Sequence, residues 1–165
     1  MQLLEKLISS FLAFELDNDI NSPIHDIRTN AIKKFEELGF PTRKLENWKY
    51  TSLNRVIKED YTVFSKKKNV LDFKNVKDYF IDNIESYKIV IVDGFFDPFL
   101  SQTSHDGLDI CIMSAALNKP KYSKIIKKYF NKTANSEDSL TSLNTAFSKE
   151  GAYIHVPKNT VLEKP

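Results

Sequence analysis

The chain has 165 residues, 41% of them hydrophobic, 28% charged and 12% aromatic; that is globular composition, and it excludes both an extended disordered tail and two large domains. Twenty-four Lys and Arg against 22 Asp and Glu give a formal charge of +2, which excludes a surface drawn as a whole to phosphate or anionic lipid. A single cysteine, Cys111, excludes an internal disulfide and any cluster held by four of the chain's own thiolates, and makes the cytoplasm the expected compartment.

Taken in chain order, the first periodic segment carries Leu3, Leu4, Leu7, Ile8, Phe11 and Leu12 at the three-and-four spacing of one helical stripe. No basic leader precedes it and no small-residue cleavage pattern follows, so it reads as an amphipathic helix rather than a signal peptide. The next helix opens with Ser22 as N-cap and Pro23 at its first position. It places Ile24, Ile27, Ala31, Phe35 and Leu38 on one face and ends at Gly39 and Pro41. These two form a helical hairpin over residues 1–39. A motif segment, 40–57, follows. It contains the only Trp and one of three Arg, and two readings stand: Leu45, Trp48 and Leu53 anchor it on the core, or Arg43, Trp48 and Tyr50 form a binding surface.

Lys66, Lys67 and Lys68 read as a solvated loop, with phosphate contact as the alternative. Val76, Tyr79, Phe80 and Ile84 suggest a short helix. The β-branched run from Tyr87 to Val92 is expected to form a strand and to share a small sheet with Leu108 to Met113, where Cys111 sits as a small hydrophobe. Between them Asp93-Gly94 and Asp97-Pro98 are turn formers, although a small enzyme built on Asp93, Asp97, His105 and Asp106 is a competing reading. A helix from Lys121 to Phe130 sets Tyr122, Ile125, Ile126 and Tyr129 opposite Lys121, Lys124 and Lys128. This Lys face, with Lys66 to Lys68, is the basis of a nucleic-acid accessory reading. The absence of Arg there removes the bidentate guanine contact. Ser136 to Glu150 is the last helix, with Leu140, Leu143, Ala146 and Phe147 inward and Gly151 ending it. Strand-like pieces follow at Ala152–Pro157, containing His155, and at Thr160–Leu162.

Signature chemistry is sparse. The four glycines, Gly39, Gly94, Gly107 and Gly151, lie far apart, so no phosphate-cradling loop exists. His25, His105 and His155 are scattered, and no Gly-x-Ser-x-Gly elbow occurs. No apolar run approaches a membrane span. The sequon at Asn131-Lys132-Thr133 has no secretory signal ahead of it.

Three segments carry a resemblance. Arg28, Ala31 and Phe35, followed by Gly39-Phe40-Pro41-Thr42-Arg43-Lys44, Glu46-Asn47-Trp48-Lys49-Tyr50-Thr51, resemble the N-terminal signature of the SufD family, a subunit family of the SufBCD iron–sulfur cluster assembly complex. Asp93-Gly94-Phe95 with Leu100-Ser101 resembles that family's strand–turn segment. Leu143-Asn144, Ala146-Phe147, Gly151, Ile154 and Val156-Pro157-Lys158 resemble the approach to its β-helix, a feature shared with the related SufB. The resemblance implies an α+β chain: a mainly helical N-terminal domain with a small sheet, ending in the first strands of a right-handed parallel β-helix whose remainder is absent. Residues 1–151 would then be the N-terminal domain, with a strand-containing part at 87–113 and helices over 120–150, and 152–165 the start of the β-helix. It further implies a non-catalytic scaffold subunit partnered by SufB and by the ABC-type ATPase SufC. The complex handles iron–sulfur clusters and, through SufC, ATP. In the family the pairing, SufC-contacting and cluster-related residues lie beyond the position of Pro165. No catalytic, cofactor-binding or metal residue is therefore assigned in this chain, and no cofactor, membrane or nucleic acid is expected to bind it.

Overall fold

The computed structural model describes residues 2–17, 21–63, 71–102, 107–133 and 138–165. Contacts divide the chain into two compact units, each assembled from two separate stretches. One is Met1–Phe64 with Pro120–Ser148, the other Ser65–Lys119 with Lys149–Pro165.

The first unit is helical. Helix α1 (Leu3–Leu16) and helix α2 (His25–Leu38) are followed by a 3-10 turn at Glu46–Trp48 and a single turn, α3 (Asn54–Ile57). Its core joins Phe11, Phe14, Ala31, Ile32, Phe35 and Ala146. Phe147 meets Phe14 edge-on at 5.2 Å and Phe11 at 5.8 Å. Of the expected α1 stripe, Leu3 and Phe11 are buried and Leu4 and Leu7 pack on the core; Phe14 joins them, and Leu12, predicted to face inward, is 71% exposed. Along α2, Ile24, Ala31 and Phe35 are buried as expected; Arg28 and Ile32 are buried with them, whereas Leu38 is 41% exposed. The predicted Ser22 cap is not made. His25 N–H instead donates to Ser22 O at 2.9 Å in a turn that holds the fully buried Ile24 in a non-helical conformation, so the helix starts later. Its end is as expected. Gly39 takes φ +63° and its N–H donates to Phe35 O at 2.8 Å, a conformation that costs a Cβ-bearing residue.

The second unit has α4 (Phe73–Val76), extended by a 3-10 turn at Lys77–Tyr79, then β1 (Ile91–Val92), β2 (Phe95–Phe96), β3 (Asp109–Ile112) and α5 (Met113–Leu117). The apolar stripe expected over Val76 to Ile84 is buried only at Val76; Tyr79 and Ile84 face solvent. Back in the first unit come α6 (Pro120–Tyr129) and α7 (Ser139–Ala146). Asp138 caps α7, its Oδ1 accepting from Thr141 N at 2.7 Å. Ser136, the predicted start, lies outside the described residues, and α7 stops short of Gly151 because Phe147 turns into the core. The chain then returns to the second unit as β4 (Ala152–His155).

Strand pairing differs from expectation. The 87–92 and 108–113 runs do not share a sheet. Asp93 and Gly94 both have positive φ, +50° and +85°, a two-residue turn whose twist sends the chain straight back, so β1 pairs with β2. Strand β3 pairs antiparallel with β4, setting Asp109 opposite His155 and Cys111 opposite Tyr153. Residues 160–162 form no strand. A turn closed by Thr160 N to Pro157 O, 3.2 Å, precedes them, and Val161 is 87% exposed. Beyond that turn, Pro165 O accepts from Tyr87 N at 2.9 Å and Lys164 pairs with Glu85.

Candidate functional site

The motif segment begins where α2 ends. Phe40 stacks edge-on against Phe35 at 5.3 Å and Pro41 is buried, which fixes the exit direction. From there successive short-range bonds satisfy the backbone: Leu45 N to Thr42 O at 3.0 Å, Trp48 N to Leu45 O at 2.9 Å and Thr51 N to Trp48 O at 2.9 Å. With its polar backbone paired locally, the segment needs few core anchors, and most of its side chains point outward. Leu45 is exposed rather than anchoring, Trp48 and Leu53 are half-buried, and Tyr50 is 86% exposed. Lys49 lies over the Tyr50 ring at 5.6 Å and pairs with Glu46 at 3.8 Å. Arg43, Lys44 and Arg55 are exposed around it. The structure thus divides the stretch between the two readings: Trp48 and Leu53 are half-buried, whereas Leu45, Arg43 and Tyr50 are exposed.

At the start of α2, away from the end where the segment begins, sits a charged cluster that the sequence reading did not single out. Arg28 Nε donates to Glu15 Oε1 at 2.8 Å, and His25 pairs with the other oxygen of the same carboxylate. The Arg28 side chain is 2% exposed and that of Glu15 12%. The guanidinium also lies 5.7 Å from the Phe14 ring centroid and gives Nη1 to Ser148 O at 3.4 Å. Among the described residues its Nη2 has no partner. One guanidinium thus ties the end of α1, the start of α2 and the residues after α7. The signal was a cation in register with Ile24, Ala31 and Phe35 on an apolar face. Such a side chain is buried only when paired.

The other candidates lie apart. Asp97 Oδ1 accepts from Phe99 N at 2.9 Å and Leu100 N at 3.1 Å, a turn-forming role. Asp93 borders a mostly apolar hollow of about 600 Å³ formed with Val76, Tyr79, Phe80 and Ile89. Their proposed partners His105 and Asp106, and the lysines 66–68, lie outside the described residues. A second hollow of about 410 Å³ is lined by Ile27, Asn30, Lys34, Asn131, Ser142 and Thr145. On α6, Tyr122 and Ile126 are buried and its four lysines are exposed; Tyr129, expected inward, is 60% exposed. His155 Nδ1 lies 3.2 Å from Asp109 Oδ2 across the strand pair, and its ring stacks with Tyr153. Burial pushes the Cys111 thiol above its ordinary pKa, Asp109 adds to the shift and Lys119 opposes it; this is the opposite of what a nucleophile needs. Among the described residues no group of three His, Cys, Asp or Glu is placed to hold a metal ion, and no helix is long and apolar enough to cross a membrane.

Comparison with known proteins bears on the whole chain. Residues 6–165 match the family described as SufBD protein N-terminal region. The chain is 24% identical over 138 residues to an iron–sulfur cluster assembly SufBD family protein of Synechocystis sp., covering 84% of this chain and 30% of that protein. It is 26% identical over 157 residues to a chloroplastic iron–sulfur cluster assembly SufBD family protein of Arabidopsis thaliana, covering 85% of this chain and 28% of that one. The chain therefore spans less than a third of either relative.

Proposed function

The chain belongs to the SufBD family, whose N-terminal region it matches over residues 6–165, and from that membership we propose that it is the N-terminal domain of a SufD-type scaffold subunit in iron–sulfur cluster assembly. The cluster is the cargo of the assembly. The subunit contributes surface and position rather than turnover, and works in the cytoplasm alongside SufB and the ATPase SufC. Residues 152–165 lead into a right-handed parallel β-helix. The observation that carries the reading is the family match together with the segment from Gly39 to Thr51, whose Gly-Phe-Pro-Thr-Arg and Trp-Lys-Tyr-Thr runs favour SufD over SufB. The arrangement of the first unit supports it: Phe40 packs on Phe35 at the base of that segment, and most of its side chains are exposed.

Co-expression of the full-length protein that carries this region with tagged SufB, SufC or SufD from the same source tests this. A SufD-type subunit is retained on SufB and SufC together. Retention on SufD in place of SufB would identify a SufB-type subunit, and failure to associate with any of the three would overturn the scaffold reading.

A further inference from the structure

We propose that the surface formed by the motif segment and α3 is a docking site for an acidic protein segment that carries aliphatic or aromatic anchors. This goes beyond the family assignment and does not depend on which Suf subunit the chain is.

Three observations define the partner. First, sign: from Arg43 to Lys58 the cations Arg43, Lys44, Lys49, Arg55 and Lys58 face one carboxylate, Glu46, which is itself 3.8 Å from Lys49. Just beyond, Glu59 is exposed and Asp60 is held by Lys6, whose hydrogen bond and charge lower its pKa. Two of the chain's three arginines stand here, and the third is the buried Arg28. Arg43 and Arg55 offer the planar fork that grips a carboxylate through two parallel hydrogen bonds. Second, apolar area: in the same stretch of chain Tyr50, Leu45 and Val56 are 86%, 54% and 46% exposed. Aromatic and arginine side chains in this combination are the usual centre of a protein interface, with charged groups around it. Third, exclusion of the other occupants: a two-fold contact with a second copy would set the same cations against each other. A nucleic acid would find Leu45 and Val56 useless for phosphate contact, and the Lys49 ammonium already on one face of the Tyr50 ring.

The test is to pan a random peptide library on the immobilised 165-residue chain and to follow binding of the enriched peptides by the fluorescence of Trp48, the sole tryptophan. The expected peptides carry net negative charge with spaced Leu, Ile or Phe. Their affinity falls about tenfold or more in Arg43→Glu/Arg55→Glu, and by a similar factor in Tyr50→Ala. Both variants change only exposed side chains and are expected to melt with the parent protein. Enriched peptides without an acidic bias, binding that survives the charge reversal, tighter capture of a single-stranded oligonucleotide, or self-association through this face would each overturn the proposal.

Discussion

Arg28 shows how one side chain can hold distant parts of a chain together. A guanidinium removed from water is costly unless paired, and here Glu15, the Phe14 ring and the Ser148 carbonyl share it. Arg28→Ala leaves the Glu15 carboxylate without its main partner and opens a gap in the core. It is expected to lower unfolding stability by about 3 kcal/mol, read as a shift of the urea midpoint at unchanged slope. Arg28→Met with Glu15→Leu removes both charges and fills the space, and should recover most of that loss; a double variant as unstable as Arg28→Ala would show that the charge pair itself is required. Cys111 yields a second prediction. Its thiol pKa is raised, chiefly by burial, so the folded state holds the proton more tightly than the unfolded chain. That contribution is complete below the ordinary thiol range and is lost as pH rises through the shifted value. Alkylation by iodoacetamide at pH 8 should be slower than for a free thiol, and its rate should keep climbing at pH values where a free thiol has levelled off. A rate at or above that of glutathione would contradict the placement of Cys111.

At the scale of elements, the β1–β2 hairpin rests on two adjacent residues with positive φ. A Cβ at Gly94 meets no atom within 4 Å, so Gly94→Ala tests backbone strain alone. It should cost about 1 kcal/mol, while Asp93→Gly should be neutral or slightly stabilising. Thermal unfolding of the two variants measures the difference, and equal melting would mean the turn is not of this type. The Asp-Gly turn and the Gly39 terminus were legible because each depends on a few neighbouring residues; the face of α7 was not, since Ser139, Ser142 and Thr145 are buried beside Ala146 while Leu140, Leu143 and Phe147, expected inward, are only partly buried. Nor were strand partners. Tyr87 to Val92 has the composition of a long buried strand, yet it pairs only in pieces, Ile91–Val92 with β2 and Lys88 in a single bridge to Gln102, since pairing depends on which distant or turned-back segment arrives. The faces of α1 and α2 were largely legible. Their exact register was set by large side chains reaching the shared core: Phe14 displaced Leu12, and Arg28 entered the α2 face because Glu15 was there to receive it. In the motif segment, residue types left an anchoring and a binding reading open. Composition could not say whether Leu45 and Trp48 faced in or out, because local backbone bonding decided that.

Over the whole molecule, chain order and spatial order part company. The first unit takes α1 and α2 from one end of the sequence and α6 and α7 from residues 120–148. Ala146 is completely buried in its core, and Phe147 packs against both Phe11 and Phe14. The peptide 1–64 by itself would expose those rings to water. Its two helices of 14 residues each are at the length where isolated helices are marginal. Expressed alone, it is therefore expected to show little helicity and no cooperative melting. Adding the separate peptide 120–148 should restore both, because the missing core residues then return as a second molecule. Circular dichroism during such a titration measures the recovery, and Phe147→Ala in the added peptide should weaken it by an amount comparable to the loss of a partly buried aromatic side chain, about 2–3 kcal/mol. A 1–64 peptide that melts cooperatively without its complement would mean that the helical hairpin, rather than the discontinuous core, is the folding unit.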